Sequence, residues 1–300
     1  MEFIANFMTC DLSPTSWART REDEGWDVLG CADHFFTADR PYPHLWVTLA
    51  TMAAATSTVR LTSSFANNLL RSPVEFAQAA LTMQAACDGR FEAGLGAGWT
   101  RDEIEGASLT YPSPGDRAGR YSEAIQIVRA LLADGRCTFH GHYYDVDVPV
   151  IGPRSTASPP PLVASLGGDR TIREIAPLVD RVELKLISAA TRGGQLELDK
   201  LASIPRSHLD DLVAKVRAVN ATVPLSVFIL CSVGDDARTR AVESMLGDSF
   251  LGGFFGEPSK VADSMHALAH AGISRVQVSP FTEQSFELLA PRLDLSASRT

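Results

Sequence analysis

Eight short apolar stretches recur along this chain with helical patterns between them, and that alternation limits the fold more than any single motif. They are FIANFM (3–8), WDVLGCAD (26–33), VRLTSSFA (59–66), RFEAGLGAG (90–98), PLVASLGG (161–168), RVELKLIS (181–188), LSVFILCSV (225–233) and RVQVSP (275–280). Most are rich in Val, Ile and Leu without strict polar alternation, as strands are when helices cover a parallel sheet. Between them lie helix-start signals such as Ser13-Pro14 and turn signals such as Asp88-Gly89. Eight such units in 300 residues predict an α/β fold, a (β/α)8 TIM barrel forming one domain over 1–300. A doubly wound sheet is the other architecture compatible with this order. One long irregular stretch, 135–161, is an insertion between the fourth and fifth strands, holding a hairpin and then a proline-rich run.

Composition narrows the function classes. The net charge of −9 argues against general nucleic-acid binding. No apolar run approaches the roughly 20 residues that cross a bilayer. The opening MEFIANFM lacks a basic n-region, so no signal peptide is expected. Five scattered cysteines without a C-x-x-C pair read as free thiols of a cytoplasmic protein. Two arginine groups, Arg101, Arg117 and Arg120, then Arg154, Arg170 and Arg173, are candidates for meeting a ligand phosphate or are ordinary solvated charges.

In a barrel the ligand sits at the C-terminal strand ends. Those ends hold Asp33-His34, then Ser63-Ser64-Phe65-Ala66, Gly96-Ala97-Gly98-Trp99 and Gly167-Gly168. They are small, hydroxylic or aromatic and carry no carboxylate cluster, which speaks against a glycosidase. His140-Gly-His142 has metal-ligand spacing but falls in the hairpin insertion, where surface or lid histidines are expected, so no metal is predicted. Gly94-x-Gly96-x-Gly98 followed by Trp99 departs from the dinucleotide fingerprint, because an indole there blocks close helix–strand packing. Two readings of these glycines stay open: relief of crowding at a bend, or a bare surface for a flat ring. A flat redox cofactor suits these ends, with His34 as the proton donor or acceptor that hydride chemistry requires, or as a hydrogen-bonded mouth residue.

Three motifs then carry a family resemblance. The strand end GLGAGW (94–99), the run PSPGDRAGRYSE with Pro114, Gly115, Arg117, Arg120 and Glu123, and the hairpin TFHGHYY with Thr138, Phe139, Gly141 and Tyr144 occur together, with ADHF (32–35) upstream. This set resembles the luciferase-like monooxygenase superfamily, in the branch that uses the deazaflavin coenzyme F420; the likeness covers roughly 25–180 well. The resemblance implies an F420-dependent oxidoreductase, with FMN as the alternative cofactor. It implies cofactor contacts from Ser63, Ser64, Phe65, Ala66, Gly96, Ala97, Gly98, Trp99, Gly167 and Gly168, and a cis peptide between Ser64 and Phe65. Asp33 and His34 match a pair beside the hydride-accepting carbon in the related sugar-phosphate dehydrogenases. Those dehydrogenases carry a glutamate where Trp99 stands, and the glycine run after the fifth strand is shortened here to Gly167-Gly168. The implied partners are a small-molecule or modified-peptide substrate, with dehydroamino acids as one class, and a second copy of the chain in a homodimer. An FMN-dependent monooxygenase and a non-catalytic cofactor-binding protein are the competing functions.

Overall fold

The computed structural model describes residues 1–38, 40–153 and 158–295. Eight parallel strands close into a barrel: β1 (Glu2–Phe7), β2 (Val28–Cys31), β3 (Arg60–Ser63), β4 (Phe91–Gly96), β5 (Leu162–Leu166), β6 (Arg181–Leu184), β7 (Leu225–Val233) and β8 (Arg275–Pro280). Helices α1 (Pro14–Asp23), α2 (Leu45–Ala55), α3 (Pro73–Ala86), α4 (Arg101–Gly106), α5 (Pro114–Asp134) and α6 (Asp169–Ile175) lie in the first five connections, and further helices cover β6 to β8. The ring closes because β4 pairs with β5 and β8 with β1.

Strand pairing identifies the inner face. Ile4 pairs with Val28 and Val28 with Arg60; Thr62 pairs with Glu92; Gly94 pairs with Val163 and Val163 with Arg181. Glu183 then pairs with Ser226, Ser226 with Arg275, and Arg275 with Glu2. Paired residues share a face, so all of these point into the lumen. The path climbs two residues at each of four steps, the shear of eight that characterises this barrel.

The opposite face packs on helices. Phe3, Ala5 and Phe7 are fully buried, and the Phe7 ring lies 5.0 Å from Trp17 of α1. Each such Phe contributes about 1.5–3 kcal/mol through burial.

Inside, the N-terminal end is sealed by charge. Arg275 reaches Glu92 at 2.5 and 2.9 Å and Glu2 at 2.8 Å, while Arg60 reaches Glu2 at 2.6 Å and Glu92 at 2.9 Å. Burial pushes Glu2 up, but Arg275 and Arg60 outweigh it and hold its carboxyl below the ordinary range. Removing Arg275 would leave buried Glu92 with only the partly exposed Arg60. This plug leaves the C-terminal end as the open one.

Several strands end earlier than their apolar runs suggest. Only Arg60–Ser63 of 59–66, Leu162–Leu166 of 161–168 and Arg181–Leu184 of 181–188 stay in the barrel ladder. The remaining apolar residues are buried against the mouth instead: Ala66 pairs with Leu95 in a separate short ladder, and Leu186 and Ile187 form a buried turn. Asp88 and Gly89 form the expected turn, both at positive φ.

The insertion begins with an antiparallel hairpin, Cys137–His140 against Asp145–Val148. Its position explains why two of the motifs travel together. The Glu123 carboxylate on α5 accepts the N–H groups of His142, Tyr143 and Tyr144 at 2.8, 2.9 and 3.0 Å. A Cβ on Gly141 would collide with that carboxylate, so the hairpin glycine and the helix glutamate require each other. Arg154 falls outside the described residues, as does the end of the predicted domain beyond 295. Among the described residues no helix is long and apolar enough to cross a membrane.

Candidate functional site

The mouth is built from loops leaving β2, β3 and β4. His34 follows β2, and its Nδ1 lies 2.8 Å from Glu103 Oε1 on α4. The other Glu103 oxygen accepts the Phe35 N–H at 3.0 Å, and Glu103 is fully buried. An ionised carboxylate only accepts, so Nδ1 carries the hydrogen and Nε2 is left to accept or donate. The His34 ring lies 5.1 Å from Tyr42 and, edge-on, 5.9 Å from Trp99.

Asp33 is turned to a different task. Its carboxylate accepts the Asn67 N–H at 2.7 Å and pairs with Arg71 at 2.5 and 3.2 Å. These bonds tie the end of β2 to the loop after β3 and fix the backbone that carries His34.

The loop after β3 lies over the glycines of β4. The Ser64–Phe65 peptide is cis. Ser63 Oγ bridges the Gly94 backbone, donating to its carbonyl at 2.8 Å and accepting its N–H at 2.9 Å. A Cβ on Gly94 would strike the Ser63 carbonyl and lie 3.0 Å from the Phe65 ring, and one on Gly96 would lie 3.2 Å from Phe65 Cβ. These glycines therefore make room for Phe65 and the loop it sits on, rather than leaving a bare surface. Gly98, at φ +78°, packs on Asn67 and Leu69. Ala66 is buried and Ala97 packs at the edge of the core.

Trp99 is held from behind. Its carbonyl accepts Tyr111 Oη at 2.8 Å, and Tyr111 is flanked by Arg101 and Arg117 at 4.6 and 4.5 Å. Arg117 also donates to the carbonyls of Pro112 and Arg192 at 3.0 Å each. Arg120 lies over Tyr144, while Arg170 donates to Glu174 and to the Gly115 carbonyl. Most of these arginines thus have local partners. On the far side, Gly167 is pressed against Ser188, whereas a Cβ on Gly168 would meet nothing nearer than Thr171 Oγ1 at 3.6 Å. His140 pairs with Asp145 at 2.6 Å on the exposed hairpin.

Two residues at the mouth lie outside the sequence-based set. Glu103 is one; in the polar helix RDEIEG its burial has no local signal. Lys185 is the other: its Nζ lies 5.4 Å from the Trp99 ring centroid. Here a signal existed. In RVELKL the charged residues 181, 183 and 185 alternate with apolar ones, which on a barrel strand places them all in the lumen. Glu183 is fully buried with neither carboxylate oxygen partnered, and burial pushes it up to about 8. Asn6 Oδ1, Ser64 Oγ and both ends of Gln277 are likewise buried and unpartnered among the described residues.

A separate cavity of about 560 Å³ lies outside the barrel between α5, the hairpin and α6, lined by Gly119, Glu123, His142, Tyr143, Arg170 and Glu174 among others. Its charged groups already serve each other or the hairpin.

Comparison with known proteins agrees with this architecture. The luciferase-like monooxygenase family description matches residues 15–198, and the chain belongs to that family. An F420-dependent glucose-6-phosphate dehydrogenase of Kineococcus radiotolerans is 32% identical over 151 residues, 49% of this chain and 44% of that protein. That of Amycolatopsis mediterranei is 26% identical over 215 residues, 70% of this chain and 63% of that protein. The chain therefore spans about half to two-thirds of the length of these relatives. The fold matches an F420-dependent secondary alcohol dehydrogenase solved with an F420-acetone adduct, with TM-score 0.73 at 16% identity, covering 100% of this chain and 99% of that one.

Proposed function

We propose that this member of the luciferase-like monooxygenase family is a coenzyme F420-dependent oxidoreductase that moves a hydride between the reduced deazaflavin and an activated C=C or C=N bond, or an alcohol. The observation that carries this reading is His34, held by buried Glu103 beside Trp99 at an open barrel mouth. The residues present suit the cofactor. Asn6, Ser64 and Gln277 bring unpartnered buried donors and acceptors to the lumen, and such atoms require water or a polar ligand. The polar edge of a deazaflavin offers both N–H and C=O groups. Ser63, Ser64, Phe65 and Ala66, with Gly96, Ala97, Gly98 and Trp99, would flank the ring system through the loop and its aromatic wall. Gly167 and Gly168 would approach the anionic tail. The whole chain, 1–300 with its insertion, works as one domain on this reading.

When bound, the cofactor supplies two-electron hydride chemistry. The protein positions and protonates. Glu103 keeps Nδ1 of His34 occupied, so Nε2 is the atom that gives or takes the accompanying proton. Asp33 acts on His34 only through the backbone, by anchoring the end of β2 to Asn67 and Arg71. Trp99 and Phe65 exclude water from one side of the slot. Within this reaction class, reduction of a dehydroamino acid in a modified peptide is the narrower substrate reading.

Titration of the purified protein with F420 and with FMN tests the reading. F420 should bind and FMN should bind far more weakly. Tighter binding of FMN would favour the monooxygenase, and binding of F420 with a dispensable His34 would favour a non-catalytic carrier.

A further inference from the structure

Apart from Asn6 on β1 and Gln277 on β8, the cofactor contacts proposed above come from the ends of β2 to β5. The inward positions of β6 and β7 at the mouth are left unassigned. Phe228 and Leu230 share the inner face of β7 with Ser226, yet both are only half-buried. On a strand inside a closed barrel, partial exposure of a Phe and a Leu means that the lumen above them is open. Lys185 follows β6 on the same inner face as Arg181 and Glu183.

Lys185 is, among the described residues, a cation without a counter-ion. Among the described residues no carboxylate lies within ion-pair distance of its ammonium, which sits over the Trp99 ring at 5.4 Å. That contact uses the charge but fills none of the three N–H donors. Arg117 repels the ammonium, and Glu183 below attracts it without reaching it. The wall therefore presents one unfilled cation beside two apolar side chains, and Trp99 links it to His34 at 5.9 Å.

We propose that Lys185, with Phe228 and Leu230, forms a substrate subsite for a compact monocarboxylate with an apolar body, an α,β-unsaturated acid being the fitting class. This rests on the oxidoreductase reading. A single ammonium balances a monoanion, whereas a phosphate dianion on this apolar wall would keep an uncompensated charge. A carboxylate conjugated to a C=C bond takes up the charge that hydride addition develops once a cation neutralises it, so the Lys185 ammonium would serve recognition and activation at the same atoms.

The probes are cinnamate and its neutral isostere cinnamamide, titrated calorimetrically at pH 7 against wild type, Lys185→Met and Lys185→Arg, each checked for folding by circular dichroism. Wild type should prefer the acid by about ten- to a hundredfold, the worth of one charge-assisted hydrogen bond. Lys185→Met should bind both probes alike, and Lys185→Arg should retain most of the preference. Equal binding of acid and amide by wild type, binding of neither, or a preference that survives in Lys185→Met overturns the proposal. F420 binding is followed separately by the cofactor's own fluorescence. Should Lys185→Met weaken F420 binding and leave the acid-to-amide ratio unchanged, the ammonium serves the cofactor and the subsite is refuted. Failure of wild type to bind F420 at all is a distinct result, which removes the oxidoreductase reading whatever the probe ratio.

Discussion

His34 Nδ1 and Glu103 Oε1 meet at 2.8 Å although the two residues stand 69 positions apart in the chain. The glutamate is fully buried, and its second oxygen holds the backbone N–H of the next residue, Phe35. One carboxylate thus fixes both the ring and the loop that carries it. This two-point hold removes rotational freedom that a lone mouth histidine would keep.

His34→Asn should lower kcat by about 10²- to 10⁴-fold, the usual worth of general acid–base catalysis, with far less change in cofactor affinity. Glu103→Gln should give a smaller loss, because the amide can still accept a hydrogen bond but no longer stabilises an imidazolium. Steady-state rates across pH 6 to 8, set beside cofactor titrations, check both. Wild-type turnover by His34→Asn throughout that range would make His34 a structural residue.

The strand order was legible because eight apolar runs with helical patterns between them leave few alternatives, and β7 and β8 match their runs from end to end. The mouth was legible only in part. His34 and Trp99 stand at strand ends and could be placed by counting, but Glu103 becomes visible only when α4 is folded back over β2. The glycines of β4 show a different limit. Their lack of side chains was plain, yet sequence could not say what fills the space, and Phe65 does. Lys185 was within reach, since the alternation in RVELKL already points three charges into the lumen.

Removing the Glu123 carboxylate should loosen the hairpin. Its two oxygens take three backbone N–H groups from residues 142–144. Part of the site is open to water, which recovers some of the loss, so Glu123→Ala should cost about 1–3 kcal/mol of stability. Urea unfolding gives the magnitude, and faster amide exchange confined to the hairpin gives the location. Gly141→Ala should act in the same direction through its collision with Glu123. An unchanged exchange pattern in both variants would contradict the pinning.

Glu183 should make stability fall as pH rises. Burial raises its carboxyl from 4.5 to about 8, against the opposing charges of Arg275, Arg181 and Lys185. Between those values the folded state binds the proton and the unfolded state does not. The contribution is therefore complete below about 4.5 and is lost as pH rises through about 8. Lys185, lowered from 10.5 to about 8 chiefly by burial, acts in the next window with the opposite sign, since only the unfolded chain keeps that proton. Glu183→Gln should flatten the decline between pH 5 and 8 in urea-unfolding series while leaving the rise above pH 8. A wild-type slope that survives the substitution would assign it to another group.

Gly168→Ala separates backbone recognition of the cofactor tail from recognition by arginine. Gly168 stands just before α6 at φ −121°, a conformation alanine adopts freely, and an added Cβ meets nothing closer than 3.6 Å. Folding should therefore be unchanged or improved by up to about 1 kcal/mol, as for alanine at a compatible glycine. Arg117 and Arg170 are already engaged by carbonyls or carboxylates, and Arg101 by Tyr111 and Glu105, so they are poorly placed to dominate binding of an anion. If the tail approaches the backbone at Gly168, the methyl group should weaken F420 binding by about tenfold or more while the melting temperature holds. The wild-type affinity should then respond only weakly to salt above about 0.15 M, because short contacts to oriented N–H groups are screened less than exposed charge pairs. Full affinity in Gly168→Ala together with a steep loss of binding in salt would transfer the role to the arginines.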